Sequence, residues 1–277
     1  MNPGCDVPPT RPLLTSSDGP AVRTVNAAGT SDVVLVCEHA SNHIPEGLGS
    51  MGVPPEVLSS HAGWDPGAEA VAMLLSQSLN AVLVSARFSR LVYDINRPPD
   101  HDDAMRAVSE IYTIPGNTAL TAEDRQARID AVYNPFHQHL ARLLDGFERK
   151  NRVPVLVTVH TFTPVYLGKT RRVELGILHD SDARLADAML RAAPQNTRLV
   201  TLRNEPYGPQ DGVTHTLQLQ ALPRGIPNVM IEIRNDLVAS AGQQAEVARD
   251  LELILRSALP GVEPSLHSPQ VAAGAKA

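Results

Sequence analysis

Three stretches of this chain consist of apolar residues that stop abruptly at a polar side chain. The first stretch, residues 32–37, leads to His39, the second ends at His160, and the third ends at Glu232. A run of apolar β-forming residues without polar alternation is typical of a strand buried on both faces. Ligands of open α/β sheets bind at the carboxyl ends of the strands. We therefore expect these three side chains to meet at one site.

The spacing of apolar residues predicts alternating strands and helices. The strand-like runs lie at about residues 32–37, 81–86, 153–160, 173–178, 198–202 and 227–233. Helical spacing begins after Pro66, continues over residues 129–147 with a kink at Pro135, and returns near 181–193, 214–222 and 242–258. This order favours one α/β domain at residues 26–260, with a mainly parallel or mixed central sheet that helices flank on both faces. Residues 1–25 and 261–277 are poor in apolar periodicity and are predicted to be mobile tails.

The composition is typical of a globular protein in a reducing compartment. The 277 residues are 43% hydrophobic, enough to fill a sizeable core, and the formal net charge is −6. That charge gives no general attraction to nucleic acid or to anionic membranes. Two cysteines, Cys5 and Cys37, do not make a disulfide framework, and no secretory signal is recognisable. We predict a cytoplasmic protein without a membrane span.

Three glycines, Gly47, Gly49 and Gly52, have the spacing of a dinucleotide-binding fingerprint. That fingerprint requires a tight turn directly between a strand and the helix whose N-terminus meets the pyrophosphate. Here Pro45 separates the glycines from the strand, and Pro54 follows them. The pattern therefore does not indicate nucleotide binding.

His39 and His160 are the strongest metal-binding candidates in the sequence. Neutral imidazole is a common ligand of Zn²⁺, and both histidines stand at predicted strand ends. A third ligand, an oxygen atom, would complete a catalytic zinc site that keeps one open position.

The sequence leaves the third ligand open. Asp65 and Glu38 are the nearby carboxylates, and Asn42 and His43 are weaker alternatives. Asp65 also precedes Pro66 at a predicted helix start, where it can equally serve as the N-cap of that helix.

Glu232 ends the third apolar run and is followed closely by Arg234. A carboxylate next to a catalytic metal can take a proton from water and deliver it to a leaving amine. The alternative is a structural salt bridge of Glu232 with Arg234 or with another arginine. The position at a strand end favours the catalytic role.

A long polar loop runs from Arg87 to about Thr121. Loops of this length in a compact domain are usually functional or disordered. Guanidinium groups bind carboxylates bidentately, so Arg87, Arg90 and Arg97 suit a small anionic substrate. Alternatively, Arg90 pairs with Asp94 within a solvated loop.

Six segments of the chain together resemble the N-formylglutamate amidohydrolase family. They are Cys37–Pro45, His61–Ala68, Arg87–Arg97, Tyr133–His137, Val159–Phe162 and Ile231–Leu237. The resemblance spans roughly residues 32–257, which is nearly the whole predicted domain. It implies a fold like that of the zinc carboxypeptidases and one Zn²⁺ ion per chain.

The resemblance also implies an order of functional residues along the chain. His39 and His160 would bind the metal, and Glu232 would be catalytic. Asn96 and Arg97 would bind a substrate carboxylate, with help from Arg90. Zinc carboxypeptidases carry a ligating glutamate three residues after the first histidine, but Asn42 occupies that position here. Asp65, which lies within one of the shared segments, is therefore the expected third ligand.

The expected function is zinc-dependent hydrolysis of the amide of an N-acyl amino acid, with Glu232 and Arg97 as catalytic residues. The divergent form of the segments around His39 and Asp65 leaves the substrate open, so it need not be N-formylglutamate. The alternatives are a zinc peptidase, an aspartoacylase-like deacylase, or a non-catalytic carboxylate-binding protein of the same fold. The partner is a small anionic molecule, and the oligomeric state stays open, a homo-oligomer being one possibility.

Overall fold

A seven-stranded mixed sheet forms the centre of the protein in this computed structural model, which describes residues 12–262. Its strands are β1 (Val22–Val25), β2 (Val33–Cys37), β3 (Val82–Ala86), β4 (Val155–Phe162), β5 (Leu175–Leu178), β6 (Thr201–Arg203) and β7 (Asn228–Arg234). They lie in the order β1-β3-β2-β4-β7-β5-β6. The four strands β3, β2, β4 and β7 are parallel to one another. The predicted mixed α/β fold is confirmed.

Helices cover both faces of the sheet. They are α1 (Pro55–Ser59), α2 (Ala68–Leu79), α3 (Ala122–Arg128), α4 (Asn134–Glu148), α5 (Arg184–Asn196) and α6 (Ala241–Ala258). Alternate residues of β2 enter two different apolar layers, with Leu35 packing towards α2, α5 and α6 and Val34 packing towards α4. Because both faces of the central strands are buried, those strands appear in the sequence as uninterrupted apolar runs. No helix within residues 12–262 is long and apolar enough to cross a membrane.

The predicted N-terminal tail, residues 1–25, extends too far along the chain. Val22–Val25 form β1, which pairs antiparallel with β3 at the edge of the sheet. This strand is short and half exposed, so it lacks the buried apolar run that marks the central strands β2, β3, β4 and β7. Residues 1–11 and 263–277, which include part of the predicted N-terminal tail and most of the C-terminal one, lie outside the described part of the chain.

The helix predicted for residues 129–147 is longer and less regular than expected. A π-helical segment, Ile129–Tyr133, joins α3 to α4 directly before Pro135, where the sequence predicts a kink. Proline has no N–H to donate to the preceding turn, and a π-helical segment is one way to accommodate that loss. The helix predicted near 214–222 is likewise a π-helical segment, Leu217–Ala221.

The long loop after β3 is anchored in the core by its apolar side chains. Phe88, Leu91, Tyr93 and Ile95 are almost fully buried. Further along, the loop forms a small hairpin of Val108–Ser109 with Tyr112–Thr113. The polar residues between the buried positions are therefore held in place by packing on either side.

Gly67 fixes the start of α2 directly after Asp65 and Pro66. Its backbone has φ of +85°, and an added Cβ would lie 2.6 Å from Val238 Cγ2. We expect Gly67→Ala to lower the free energy of unfolding by about 1–3 kcal/mol, because it adds backbone strain to a steric clash. Urea denaturation of the variant measures this.

Gly242→Ala in α6 is the matched control. An added Cβ at Gly242 has no atom within 4 Å. This change should leave the stability unaltered or raise it by up to about 1 kcal/mol. Equal effects of the two substitutions would contradict the steric interpretation of Gly67.

Candidate active site

The carboxyl ends of β2, β4 and β7 open onto one cavity of about 340 Å³. Glu232 of β7 lies directly opposite His160 of β4 in the register of the sheet, and His39 follows β2 on the other side of β4. Of the residues selected from the sequence, the cavity is lined by His39, Asp65, Arg90, Asn96, Arg97, His160 and Glu232. The expected meeting of the three strand ends is therefore present in the structure.

Two histidines and one aspartate form a buried group that could hold a metal ion. His39 Nδ1 lies 3.2 Å from Asp65 Oδ2, and His160 Nδ1 lies 2.9 Å from the same oxygen. The candidate ligand atoms of the three residues all lie within 4.8 Å of one another. Two imidazole nitrogens and one carboxylate oxygen are a donor set that suits Zn²⁺.

Asp65 reaches this group from the loop before α2, and not as a helix cap. The N-cap of α2 is Gly67, and no side chain caps the helix. The backbone N–H of Asp65 donates to the carbonyl oxygen of His39 at 3.0 Å, which ties the two loops together. Its carboxylate is free to face the histidines, so the helix-cap interpretation is wrong.

A second carboxylate stands behind each histidine. His39 Nε2 lies 2.7 Å from Asp94 Oδ1, and His160 Nε2 lies 3.1 Å from Glu38 Oε2. Carboxylates in this position orient metal-binding imidazoles and increase their basicity. Glu38, which the sequence left open as a ligand, therefore lies behind His160 and does not join the group around Asp65.

Neighbouring carboxylates raise the pKa of both histidines in this group. Burial and Arg90 lower the pKa of His39, but Asp94 and Asp65 outweigh them and hold that pKa above its ordinary value. Burial also lowers the pKa of His160, yet Glu38 and Asp65 raise it well above the usual range. Both imidazoles thus hold a proton more tightly than a free imidazole does when no cation is present.

Arg90 forms salt bridges with two carboxylates of the site. Its Nη1 lies 3.2 Å from Asp65 Oδ1 and its Nη2 lies 3.0 Å from Asp94 Oδ2. Burial lowers the pKa of this guanidinium, but Asp94 and Asp65 raise it above its usual range. The structure thus contains the Arg90–Asp94 pair that the sequence offered as an alternative to substrate binding.

Asn96 and Arg97 lie at the cavity wall, beside the segment at 211–216. Asn96 Oδ1 accepts from the backbone N–H of Thr216 at 2.9 Å, and its Nδ2 donates to the carbonyl oxygen of Val213. Arg97 Nη1 donates to the carbonyl oxygen of Asp211 at 2.9 Å. Burial lowers the pKa of Arg97. Asn96 therefore positions the wall, whereas Arg97 keeps donors that face the cavity.

Arg87 and His43 lie outside this cavity. Both line a separate cleft together with Asp18 and Glu69. This position does not support the substrate-binding role predicted for Arg87, nor the weaker alternative that His43 is the third ligand. Arg87 follows the carboxyl end of β3, just as other candidates follow the ends of their strands. However, β3 lies next to the antiparallel edge strand β1, away from the centre of the sheet.

Glu232 is a buried residue that faces the cavity. The residue is 4% exposed, and its Oε2 has no hydrogen-bond partner within the described residues. Burial raises the pKa of Glu232 to about 7. Arg234 instead pairs with Glu174 at 3.3 Å and with Asp236 at 2.8 Å. The salt bridge between Glu232 and Arg234 is therefore absent, and that alternative is wrong.

Sequence reasoning missed His61 and Glu110 at the cavity. His61 Nε2 donates to the carbonyl oxygen of Thr161 at 2.8 Å, and its Nδ1 lies 3.0 Å from Glu110 Oε1. His61 opens the segment that contains Asp65, and that neighbourhood is a signal for it. Glu110 lies in the turn of the hairpin after Ser109 and has no comparable signal.

Comparisons with known proteins agree with this geometry. Residues 31–239 match the family model described as N-formylglutamate amidohydrolase. The chain belongs to the N-formylglutamate amidohydrolase family. Among curated proteins, none matches the chain.

Two solved structures share the fold. A gene product from Agrobacterium tumefaciens is 55% identical, with a TM-score of 0.88, over 90% of this chain and 98% of that one. An N-formylglutamate amidohydrolase from Ralstonia eutropha is 21% identical, with a TM-score of 0.62, over 87% of this chain and 98% of that one. The second likeness concerns the fold alone. Membership of this amidohydrolase family implies a hydrolase.

Removing the charge behind His160 should weaken metal binding. We expect Glu38→Gln to reduce the affinity for Zn²⁺ by about 10- to 100-fold, because the imidazole loses its orienting carboxylate. Competition with a chromophoric chelator measures the affinity. Glu252→Gln is the control, since Glu252 pairs with Arg256 on the surface of α6. Equal affinities of the two variants would exclude this role of Glu38.

Metal binding should depend on pH. Carboxylates raise the pKa of both imidazoles, so cation binding must displace the protons that they carry. We expect the apparent affinity to rise with pH by roughly tenfold per unit for each displaced proton, until the pH exceeds these pKa values. Calorimetry in buffers of different ionisation enthalpy counts the released protons. Binding without proton release between pH 6 and 7 would contradict the assigned charge states.

Proposed function

We propose that this chain is a zinc-dependent amidohydrolase that cleaves the amide of an N-acyl amino acid. The observation that carries the proposal is the buried carboxylate of Glu232, whose Oε2 has no hydrogen-bond partner within residues 12–262. This carboxylate faces the cavity that His39, Asp65 and His160 also line. Burying a carboxylate without hydrogen-bond partners is unfavourable. Groups of this kind are concentrated at functional sites. The family name supports an amide of N-formylglutamate type as the first substrate class to test.

His39, Asp65 and His160 are the residues that would hold the ion. When bound there, Zn²⁺ would polarise the scissile carbonyl group and lower the pKa of water to about 7. Asp94 and Glu38 keep the two imidazoles oriented, and Arg90 pairs with both Asp65 and Asp94. The protein thus supplies a preorganised set of charges before the substrate enters.

Glu232 is the proposed general base and acid. Its Oε2 accepts no hydrogen bond from the described residues, so it is free to take a proton from the attacking water. The same carboxyl group then returns the proton to the departing nitrogen of the amide. Burial raises its pKa to about 7, which suits a group that must both accept and release a proton near neutral pH.

Arg97 is the proposed anchor for the substrate carboxylate. One of its donors is used by the carbonyl oxygen of Asp211, and the guanidinium lines the cavity with Asn96. A guanidinium fixes a carboxylate bidentately and so orients the amide relative to Glu232. Arg90, paired with two carboxylates, contributes to the field around the reacting amide but not to carboxylate binding.

Replacing Glu232 tests the proton-transfer step. We expect Glu232→Gln to lower kcat by about 10²- to 10⁴-fold, because the amide cannot accept the proton of water. Zinc content, measured by mass spectrometry on the same sample, should stay at one ion per chain. Near-wild-type turnover with zinc still bound would exclude Glu232 as the general base.

A substrate panel tests the reaction class. Formyl, acetyl and succinyl amino acids should be hydrolysed by the zinc-loaded protein, and short peptides should not. Preferred cleavage of peptides would identify a peptidase instead. Binding of acyl amino acids without turnover would identify a carboxylate-binding protein.

A further inference from the structure

A further arginine, Arg106, lines the same cavity as Arg97. It follows the short helical turn Asp102–Met105 and precedes the hairpin strand that begins at Val108. Its Nε is buried and has no hydrogen-bond partner within the described residues. Its Nη2 donates to Asp103 Oδ2 at 3.1 Å. One edge of the guanidinium is therefore paired, while a buried N–H is left without a protein acceptor.

Arg97 and Arg106 carry like charges in one partly buried space. Burial lowers the pKa of Arg97, Asp94 opposes that effect, and Arg106 lowers the pKa further. Repulsion between two guanidinium groups is stronger away from bulk water, and it is relieved when an anion binds beside both. The proximity of the two arginines therefore points to an anionic ligand.

The carboxylates around Arg97 and Arg106 have other partners than Arg97. Asp103 pairs with Arg106, and no carboxylate pairs directly with Arg97 in the described part of the chain. Asp211 gives Arg97 its carbonyl oxygen but directs its carboxylate to the backbone N–H of Gly208, at 2.8 Å. The carboxylate of Glu110 is hydrogen-bonded to His61. Both arginines therefore keep guanidinium donors that no carboxylate of the described residues occupies.

We propose that Arg106 is a specificity-determining residue that binds, together with Arg97, one and the same substrate carboxylate. The inference rests on the proposed function and narrows its substrate class. A single carboxylate can accept from the donors of Arg97 that the described residues leave free and from the buried Nε–H of Arg106. Every N-acyl amino acid carries an α-carboxylate, so that group is the proposed ligand and an acidic side chain is not required.

N-formyl-L-glutamate and N-formyl-L-glutamine form the matched pair for this test, because they have almost the same shape and differ in side-chain charge. With the zinc-loaded wild-type protein we expect kcat/KM values for the two compounds within about tenfold of each other. Arg106→Gln should raise KM by about 10- to 100-fold for both compounds, with kcat changed less than threefold. Loss confined to the glutamate compound would overturn the proposal, since Arg106 would then bind the side-chain carboxylate. An unchanged KM for both would overturn it as well.

Two control variants separate this role from general damage. Arg106→Lys keeps the charge but not the planar fork, so its KM should lie between those of the wild type and Arg106→Gln. Arg142→Gln changes an exposed arginine of α4 and should leave KM unaltered. Equal increases in KM for Arg142→Gln and Arg106→Gln would show an unspecific charge effect and overturn the proposal.

A binding measurement separates this inference from the proposed reaction. Titration calorimetry of the two compounds against zinc-loaded Glu232→Gln requires no turnover. We expect both compounds to bind this variant, and the added Arg106→Gln change to weaken both by the same factor. If the wild-type protein hydrolyses neither compound but this pattern is observed, the proposed reaction fails and the shared carboxylate site stands. If neither compound binds, the shared carboxylate site fails.

Discussion

The buried carboxylate of Asp65 is the group on which the site depends. One of its oxygens faces both His39 and His160, and the other faces Arg90. A buried carboxylate is unfavourable unless charged partners and hydrogen-bond donors surround it. Although burial alone would raise its pKa, His39, His160 and Arg90 hold the pKa of Asp65 well below its usual value. Strand ends, the α2 loop and the long loop after β3 are brought together by one side chain.

The fold and the centre of the site can be predicted from the sequence because the apolar runs mark the strands and their ends mark the site. β2, β4 and β7 are adjacent and parallel, so residues at their carboxyl ends must lie near one another. His39, His160 and Glu232 could therefore be selected before the structure. Asp65 is not at a strand end, and family resemblance was needed to select it.

The remaining features depend on contacts that have no sequence period. Arg87 and Arg90 look equivalent in the sequence, but Arg87 faces another cleft while Arg90 reaches two carboxylates. Arg106 and Glu110 lie far along an irregular loop, where no repeat predicts the direction of a side chain. The half-exposed strand β1 is defined by its partner β3 and not by its own composition. Such features become visible only when tertiary packing is known.

The two halves of the loop after β3 differ in their freedom to change. The first half alternates polar residues of the site with Phe88, Leu91, Tyr93 and Ile95, which are nearly fully buried in the core. A substitution there disturbs packing and the charge network together, and both effects are destabilising. The second half forms the hairpin whose turn contains Glu110 and the 73% exposed Ile111. Substitutions at exposed hairpin positions such as Ile111 therefore cost less stability than substitutions in the first half of the loop.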